Sequence, residues 1–353
     1  MVTGSHIIID CERMKYPHTG LYHFCESLGI AITNIATQEN LEIDFFVPFS
    51  KRGVFGDHTN YILQKPFHKL MMPAAVKNSI WHATHQQTNY WPSKKAKAIV
   101  LTIHDLNFLH DHKSLTTQKK YLKQLQQKVN EADAIVAVSA FTANEVTQHV
   151  KLGNKKPIVI YNGVSKQSSD SSQKPARIGE QPFIFSIGTI SRKKNLHVLP
   201  TLLIGNNMEL VIAGVMRDSA YYQEVLQEAK KLGVDSRVLF IGPISEDEKA
   251  WCYQHCSVVA FPSIAEGFGL PVLEAFNFGK PVLLSRYGSL PEIGDKHAFY
   301  FQDFSNEAMR EKLEQALVSG KQEASIAARK DYAAGFSWHN AAKAYIRLYK
   351  SLY

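Results

Sequence analysis

The stretch Pro262-Ser263-Ile264-Ala265-Glu266-Gly267-Phe268-Gly269-Leu270-Pro271-Val272-Leu273-Glu274-Ala275 decides the fold. Just before it, Cys256–Phe261 is a short, β-branched apolar run, the pattern of a buried strand. Pro271 suits the first turn of a helix, where its missing N–H costs nothing, and Gly279 followed by Pro281 marks that helix's end. Residues 266–270 therefore form a strand-to-helix loop whose backbone N–H groups sit at a helix N-terminus, a setting suited to phosphate. Glu274, placed in the helix's first turn, can turn its carboxylate toward hydroxyls beside that phosphate. The expected ligand carries both phosphate and sugar.

Outward from this stretch the chain alternates strands and helices, which predicts parallel sheets of the doubly wound type. His6–Asp10, Ile43–Pro48, Ala98–Ile103, Ala134–Val138 and Pro157–Tyr161 read as strands, with a helix over Leu21–Leu28 after the first. Asn162-Gly163 is a turn signal, and the polar run that follows predicts a linker over 165–180. A second series runs through 182–188, 209–213, 238–241 and 281–284. Trp338–Leu352 reads as an amphipathic helix with Ala341, Ala344, Tyr345, Leu348 and Leu352 on one stripe. The expected domains are 1–164 and 181–337.

A chain of 353 residues, 45% of them hydrophobic, suits two soluble globular domains. No apolar run approaches the length of a membrane-spanning helix, and no signal-peptide pattern opens the sequence. Four cysteines (Cys11, Cys25, Cys252, Cys256) are too few for a disulfide framework and read as core thiols, so cytoplasm is the expected compartment. The net charge of +8 is uneven: residues 51–163 hold 16 Lys and Arg against 6 Asp and Glu, and residues 164–353 hold 22 against 20. Lys94, Lys95 and Lys97, with a helix bearing Lys119, Lys120, Lys123 and Lys128, carry the excess. Such a patch points to an anionic partner, nucleic acid or acidic lipid. No nucleic-acid recognition module is present to favour the first.

Two further stretches carry chemistry. Ser186-Ile187-Gly188-Thr189-Ile190-Ser191-Arg192-Lys193-Lys194-Asn195 ends a strand at Gly188 and places three cations where such sheets bind ligands, suiting a diphosphate. Ile99–Ile103 is a strand ending in His104-Asp105. His110-Asp111-His112 invites a metal reading with His104, but no carboxylate cluster accompanies it. Gly20 sits at the first strand-to-helix turn, where backbone can approach a phosphate. Thr142 and Glu145 have the spacing of a capping box.

Glu266 and Glu274, separated by seven residues that begin Gly267-Phe268-Gly269-Leu270-Pro271, resemble the Glu-x7-Glu signature of glycosyltransferase family 4. The resemblance implies the GT-B fold, two Rossmann-like domains facing a central cleft, with the helix over 338–353 crossing back onto the first. It implies retaining, metal-independent transfer of a hexose. Arg192 and Lys194 would neutralise the departing diphosphate, the arginine of the family pattern being either Arg192 or replaced by Lys193. Gly188 and the loop Gly267, Phe268, Gly269 and Leu270 would cradle the donor, with Gly20 approaching it from the other domain. Glu274 would hold the ribose and Glu266 the sugar. His104, similar to the His-Asp step of mannosyltransferase-like members, would position that sugar, and Ser139 would lie near the cleft. The expected donor is GDP-mannose first, or a UDP-hexose. The expected acceptor is a glycan or a lipid-linked molecule at the inner face of the membrane, in bacterial-type surface polysaccharide synthesis. The alternatives are a GT-B-like epimerase or phosphorylase and, in another class, a basic nucleic-acid-binding protein.

Overall fold

A computed structural model describes residues 6–17, 19–39, 41–111, 113–165 and 172–353, with Lys94 described by its backbone alone. The chain divides into two units, Met1–Gly163 with Phe336–Tyr353, and Val164–Gly335.

The first unit holds β1 (His6–Asp10), β2 (Glu42–Val47), β3 (Asn60–Leu63), β4 (Ile80–Ala83), β5 (Ala98–Ile103), β6 (Ala134–Ala137) and β7 (Ile158–Val159). Helices α1 (Gly20–Ala36), α2 (Leu115–Glu131) and α3 (Ala140–His149) connect them. The seven strands are parallel, in the order β3-β2-β1-β4-β5-β6-β7. The second unit holds β8 (Phe183–Ile187), β9 (Glu209–Ala213), β10 (Val238–Gly242), β11 (Val258–Phe261), β12 (Val282–Leu284) and β13 (Phe299–Tyr300). Its helices are α4 (Ser219–Lys231), α5 (Glu246–His255), α6 (Leu270–Asn277), α7 (Leu290–Gly294), α8 (Asn306–Ser319) and α9 (Glu323–Ala334). Its six strands are also parallel, in the order β10-β9-β8-β11-β12-β13. Such sheets are covered on both faces, so their strands are apolar runs without alternation, and all six residues of β5 are buried. Strand order reverses between β1 and β4 in one sheet and between β8 and β11 in the other. The carboxyl ends of those strands are where open α/β sheets bind ligands.

The last helix, α10 (Trp338–Ser351), belongs to the first unit. Ala341, Ala342, Tyr345, Ile346, Leu348 and Tyr349 share a core with Phe24, Cys25, Leu28 and Ile32 of α1. Gly163 has a job beyond turning: a Cβ there would lie 2.0 Å from the backbone N of Trp338, so only glycine admits this close crossing.

Several expectations are corrected. Of the stretch read as a linker, 166–171 lie outside the described residues, and the rest packs on the second unit: Gln173 N–H donates to Asp247 O at 3.2 Å, and Ile178 is buried. Cys256 closes α5 through its N–H to Cys252 O (2.9 Å), so the strand begins at Val258. Strands β3, β4 and β13 were not expected. In β4 the polar His82 breaks the apolar pattern, yet it is satisfied by Thr102 at 2.8 Å and the Tyr349 hydroxyl at 2.7 Å. The four cysteines are buried and free.

Candidate active site

In the second unit, the loop after β11 enters α6 through Gly269, which stands at the N-cap with φ +101°, and no side chain caps the helix. Glu274 is the fifth residue of α6, in the second turn and not the first as expected. The backbone of Glu266 is braced from the next loop. Ser289 N–H donates to Glu266 O at 3.1 Å, and a Cβ on Gly288, at φ +64°, would lie 2.7 Å from that oxygen. The Glu266 carboxylate pairs with Lys194 Nζ, which lies 4.4 Å from the Phe261 ring centroid. Both side chains are largely buried. Burial outweighs the Glu266 charge and pulls the Lys194 ammonium below the ordinary lysine range.

Lys194 reaches Glu266 because of two backbone features. Asn195 adopts the left-handed region (φ 54°) and turns the chain sharply after the cation run. Gly188, at φ +146°, leaves room for the lysine stem, since a Cβ there would lie 3.1 Å from Lys194 Cε. The same turn sends Arg192 elsewhere: its guanidinium meets Glu224 at 2.6 Å and Asp218 at 3.9 Å and lies over the Tyr221 ring. Of the two cations expected on one diphosphate, the structure brings only Lys194 to Glu266.

Sequence reasoning missed four side chains here. Ser186 and Ser263 share a narrow cavity with Gly188, Lys194 and Phe261, and both hydroxyls are buried without a partner among the described residues. Lys249 and Tyr253, one turn apart on α5, engage Glu274: Nζ donates to Oε1 at 3.0 Å and the phenol to Oε2 at 2.8 Å. Burial pulls the Lys249 ammonium down, but Glu274 and Glu246 outweigh it and hold it above the ordinary lysine range. Nothing local in the sequence marks α5 as a partner of a glutamate 21 and 25 residues further on.

The first unit carries a different set of groups. His104, at the carboxyl end of β5, is buried; its Nε2–H donates to Thr84 O at 2.8 Å, and its ring meets Phe24 edge-on. Burial lowers its pKa to about 4, so the imidazole is neutral at physiological pH with Nδ1 as the acceptor nitrogen. His82 falls to about 3 for the same reason, and burial holds His85 well below the ordinary value. At the end of β1, burial and the Glu12 charge push Asp10 up to about 7, while Thr88 donates to Asp10 at 2.5 Å. Lys128, expected on the basic surface, is instead held by the carbonyls of Gln86 (2.9 Å) and Thr88 (2.7 Å), and burial pulls it to about 8. Lys95, Lys97, Lys119, Lys120 and Lys123 are exposed as expected.

Gly20 opens α1 behind Thr19, and a Cβ built there meets nothing within 4 Å. Ser139 caps α3 by accepting from Thr142 N–H, so Thr142 and Glu145 lie inside the helix and form no capping box. Glu145 pairs with His110 at 2.5 Å, Asp111 pairs with Lys113, and His112 lies outside the described residues. Among the described residues one trio has the spacing of a metal site: His6, Glu42 and Asp44. It sits toward the amino ends of β1 and β2, at the opposite end of the parallel strands from His104.

Two doubly wound parallel units, the second with an anion-suited loop at its switch point, place the chain in the GT-B class. The glycosyl transferases group 1 profile matches residues 167–331 and the Glycosyltransferase Family 4 profile matches residues 50–168. Together the two profiles span residues 50–331, and over that span the chain is similar to the family 4 glycosyltransferases. The Escherichia coli O-antigen chain mannosyltransferase B is 24% identical over 98% of this chain and 100% of its own length. The serotype-specific mannosyltransferase WbdA of the same organism is 29% identical over 63% of this chain, and the match covers only 29% of WbdA. Among solved structures, a Rickettsia africae glycosyltransferase superposes with a TM-score of 0.74 at 15% identity, covering 99% of both chains. Anabaena HepE in complex with UDP and glucose gives 0.72 at 17% identity, over 98% of this chain and 100% of its own. At these identities the likeness speaks for the fold alone.

Proposed function

We propose that this chain is a retaining glycosyltransferase that moves a mannose from GDP-mannose to a growing glycan or lipid-linked acceptor in surface polysaccharide synthesis. The observation that carries the reading is the buried Lys194–Glu266 pair at the switch point between β8 and β11, beside Gly188 and the uncapped start of α6. A leaving diphosphate at this place meets Lys194 and the first-turn N–H groups of α6, which stabilise the charge that develops as the glycosidic bond breaks. Glu266 contacts the sugar and Glu274 the ribose. On the first unit, neutral His104 offers Nδ1 as an acceptor for a substrate hydroxyl. The leaving phosphate takes the acceptor's proton on the face it departs from, which retains the anomeric configuration. With positive charge supplied by Lys194 and the N–H groups at the start of α6, the reaction proceeds without a divalent metal.

Support for a mannosyl donor comes from the mannosyltransferase relatives, and support for a sugar nucleotide from HepE, which binds UDP-glucose. A UDP-hexose is therefore the second donor of choice. The acceptor belongs to the first unit, whose exposed lysines suit an anionic inner membrane surface. No helix among the described residues is long and apolar enough to cross a membrane.

Thermal shift against GDP-mannose, UDP-glucose and their nucleoside diphosphates tests the donor, because a ligand bound only by the folded state raises Tm with its affinity. GDP-mannose is expected to give the largest rise. No shift with any sugar nucleotide would end the reading. Sugar transfer that persists in EDTA supports metal independence, and loss restored by manganese would reverse that part alone.

A further inference from the structure

Glu274 does not set its own orientation. We propose that Lys249 and Tyr253 are positioning residues that aim the Glu274 carboxylate at a vicinal diol, which makes them determinants of ribose over deoxyribose in the donor. The inference rests on the reading of Glu274 as the ribose contact and extends it to two residues of another helix.

The geometry is specific. Lys249 and Tyr253 project from one face of α5, four residues apart, and each meets a different oxygen of the same carboxylate, at 3.0 and 2.8 Å. Two donors on two oxygens fix both the rotamer and the roll of the carboxylate plane, which one donor cannot do. Tyr253 is fully buried and only 9% of Lys249 is exposed, so neither partner moves freely. Lys249 is itself steadied by Glu246 at 2.9 Å, one turn earlier on α5. Tyr253 packs edge-on against Phe185 of β8, with ring centroids 5.3 Å apart. The orientation of Glu274 is thereby referenced to the sheet and not only to the short helix that bears it. A fixed carboxylate distinguishes two adjacent hydroxyls from one because both hydrogen bonds need the same plane.

The test measures binding of GDP and 2′-deoxy-GDP, and of UDP and 2′-deoxy-UDP, to the full chain by calorimetry. Wild type is expected to prefer the ribonucleotide about tenfold, the scale of one charge-assisted hydrogen bond. In Lys249→Met the preference shrinks below about threefold while deoxynucleotide affinity barely changes. Tyr253→Phe, which removes one hydroxyl and keeps the packing, gives an intermediate preference, and Lys249→Arg retains most of it. Equal weakening of both sugars in Lys249→Met and Tyr253→Phe would show a merely structural role and overturn the proposal. So would an intact preference in both. A wild type indifferent to the 2′-hydroxyl would remove the ribose reading of Glu274 itself, while leaving the assignment of Glu266 and Lys194 standing.

Discussion

The two units differ in how they hold most of their buried ionisable groups. In the second, charges are kept and opposed: Lys194 faces Glu266, and Lys249 faces Glu274. In the first, burial neutralises most of the groups at the strand ends, holding His82, His85 and His104 uncharged and letting Asp10 titrate only near 7, while Glu12 stays charged opposite Lys15 at 2.7 Å. Cations held in place by carboxylates suit an anionic ligand, whereas neutral donors and acceptors neither repel nor trap an ion. The contrast also predicts different responses to mutation and to pH.

The largest effect is expected where opposed charges are broken. Lys194→Met or Glu266→Gln alone leaves a partly buried charged group without its partner, at a cost of about 3 kcal/mol. The double variant removes both charges and is expected to cost less than the two singles summed. Urea unfolding of the four proteins checks this, and strict additivity would mean the pair contributes no coupling. In turnover, Glu266→Gln is expected to lose on the order of 100-fold, the scale of removing one group that acts on the transition state.

This contrast explains what the sequence disclosed. The strand–loop–helix setting of Glu266, Gly267, Gly269 and Leu270 was legible because the three elements follow one another without interruption, while Glu274 falls one turn later than expected. The register of the cations was not. Three consecutive basic residues look alike, and a left-handed Asn195 decides that Lys194 turns in and Arg192 turns out. Strand β4 was hidden because His82 is satisfied by Thr102 and Tyr349, 20 and 267 residues away. Lys128 was read as surface for a similar reason: the carbonyls that hold it lie 40 and 42 residues earlier. Groups neutralised or caged by distant partners leave no local pattern, and Lys249 and Tyr253 of the second unit went unread for the same reason.

A medium effect is expected on acidification, and it belongs to the first unit. His104 is charged below about 6.5 when unfolded, but stays neutral in the folded chain down to about 4. The unfolded state therefore binds more protons in that window, and stability is lost as pH falls through it, by roughly 3 kcal/mol for His104 alone. His82 acts in the same sense, its folded value lying at about 3. Asp10 acts in the opposite sense: the folded chain takes its proton near 7 and the unfolded chain only near 3.8, so falling pH favours folding at this group. Denaturant midpoints between pH 7 and 4.5 should show a shallower acid loss in His104→Gln and a steeper one in Asp10→Asn. Identical slopes in all three proteins would mean these groups are not neutralised by burial.

The smallest effect on stability separates two glycines that the sequence put in the same role, one in each unit. Gly188→Ala forces a side chain onto φ +146° and presses its Cβ to 3.1 Å from Lys194 Cε, so a loss of about 1–3 kcal/mol and a displaced lysine are expected. Gly20→Ala meets neither obstacle. It stands in the first turn of α1, outside the positive-φ region, with no atom within 4 Å of the new Cβ, so folding should be unchanged or improved by about 0.5 kcal/mol. If the open space beside Gly20 receives a substrate of the first unit, Gly20→Ala will raise the KM for that substrate while leaving the melting temperature intact. An alanine variant with unaltered KM for every substrate would take Gly20 out of the binding site and leave it only its place in the first turn of α1.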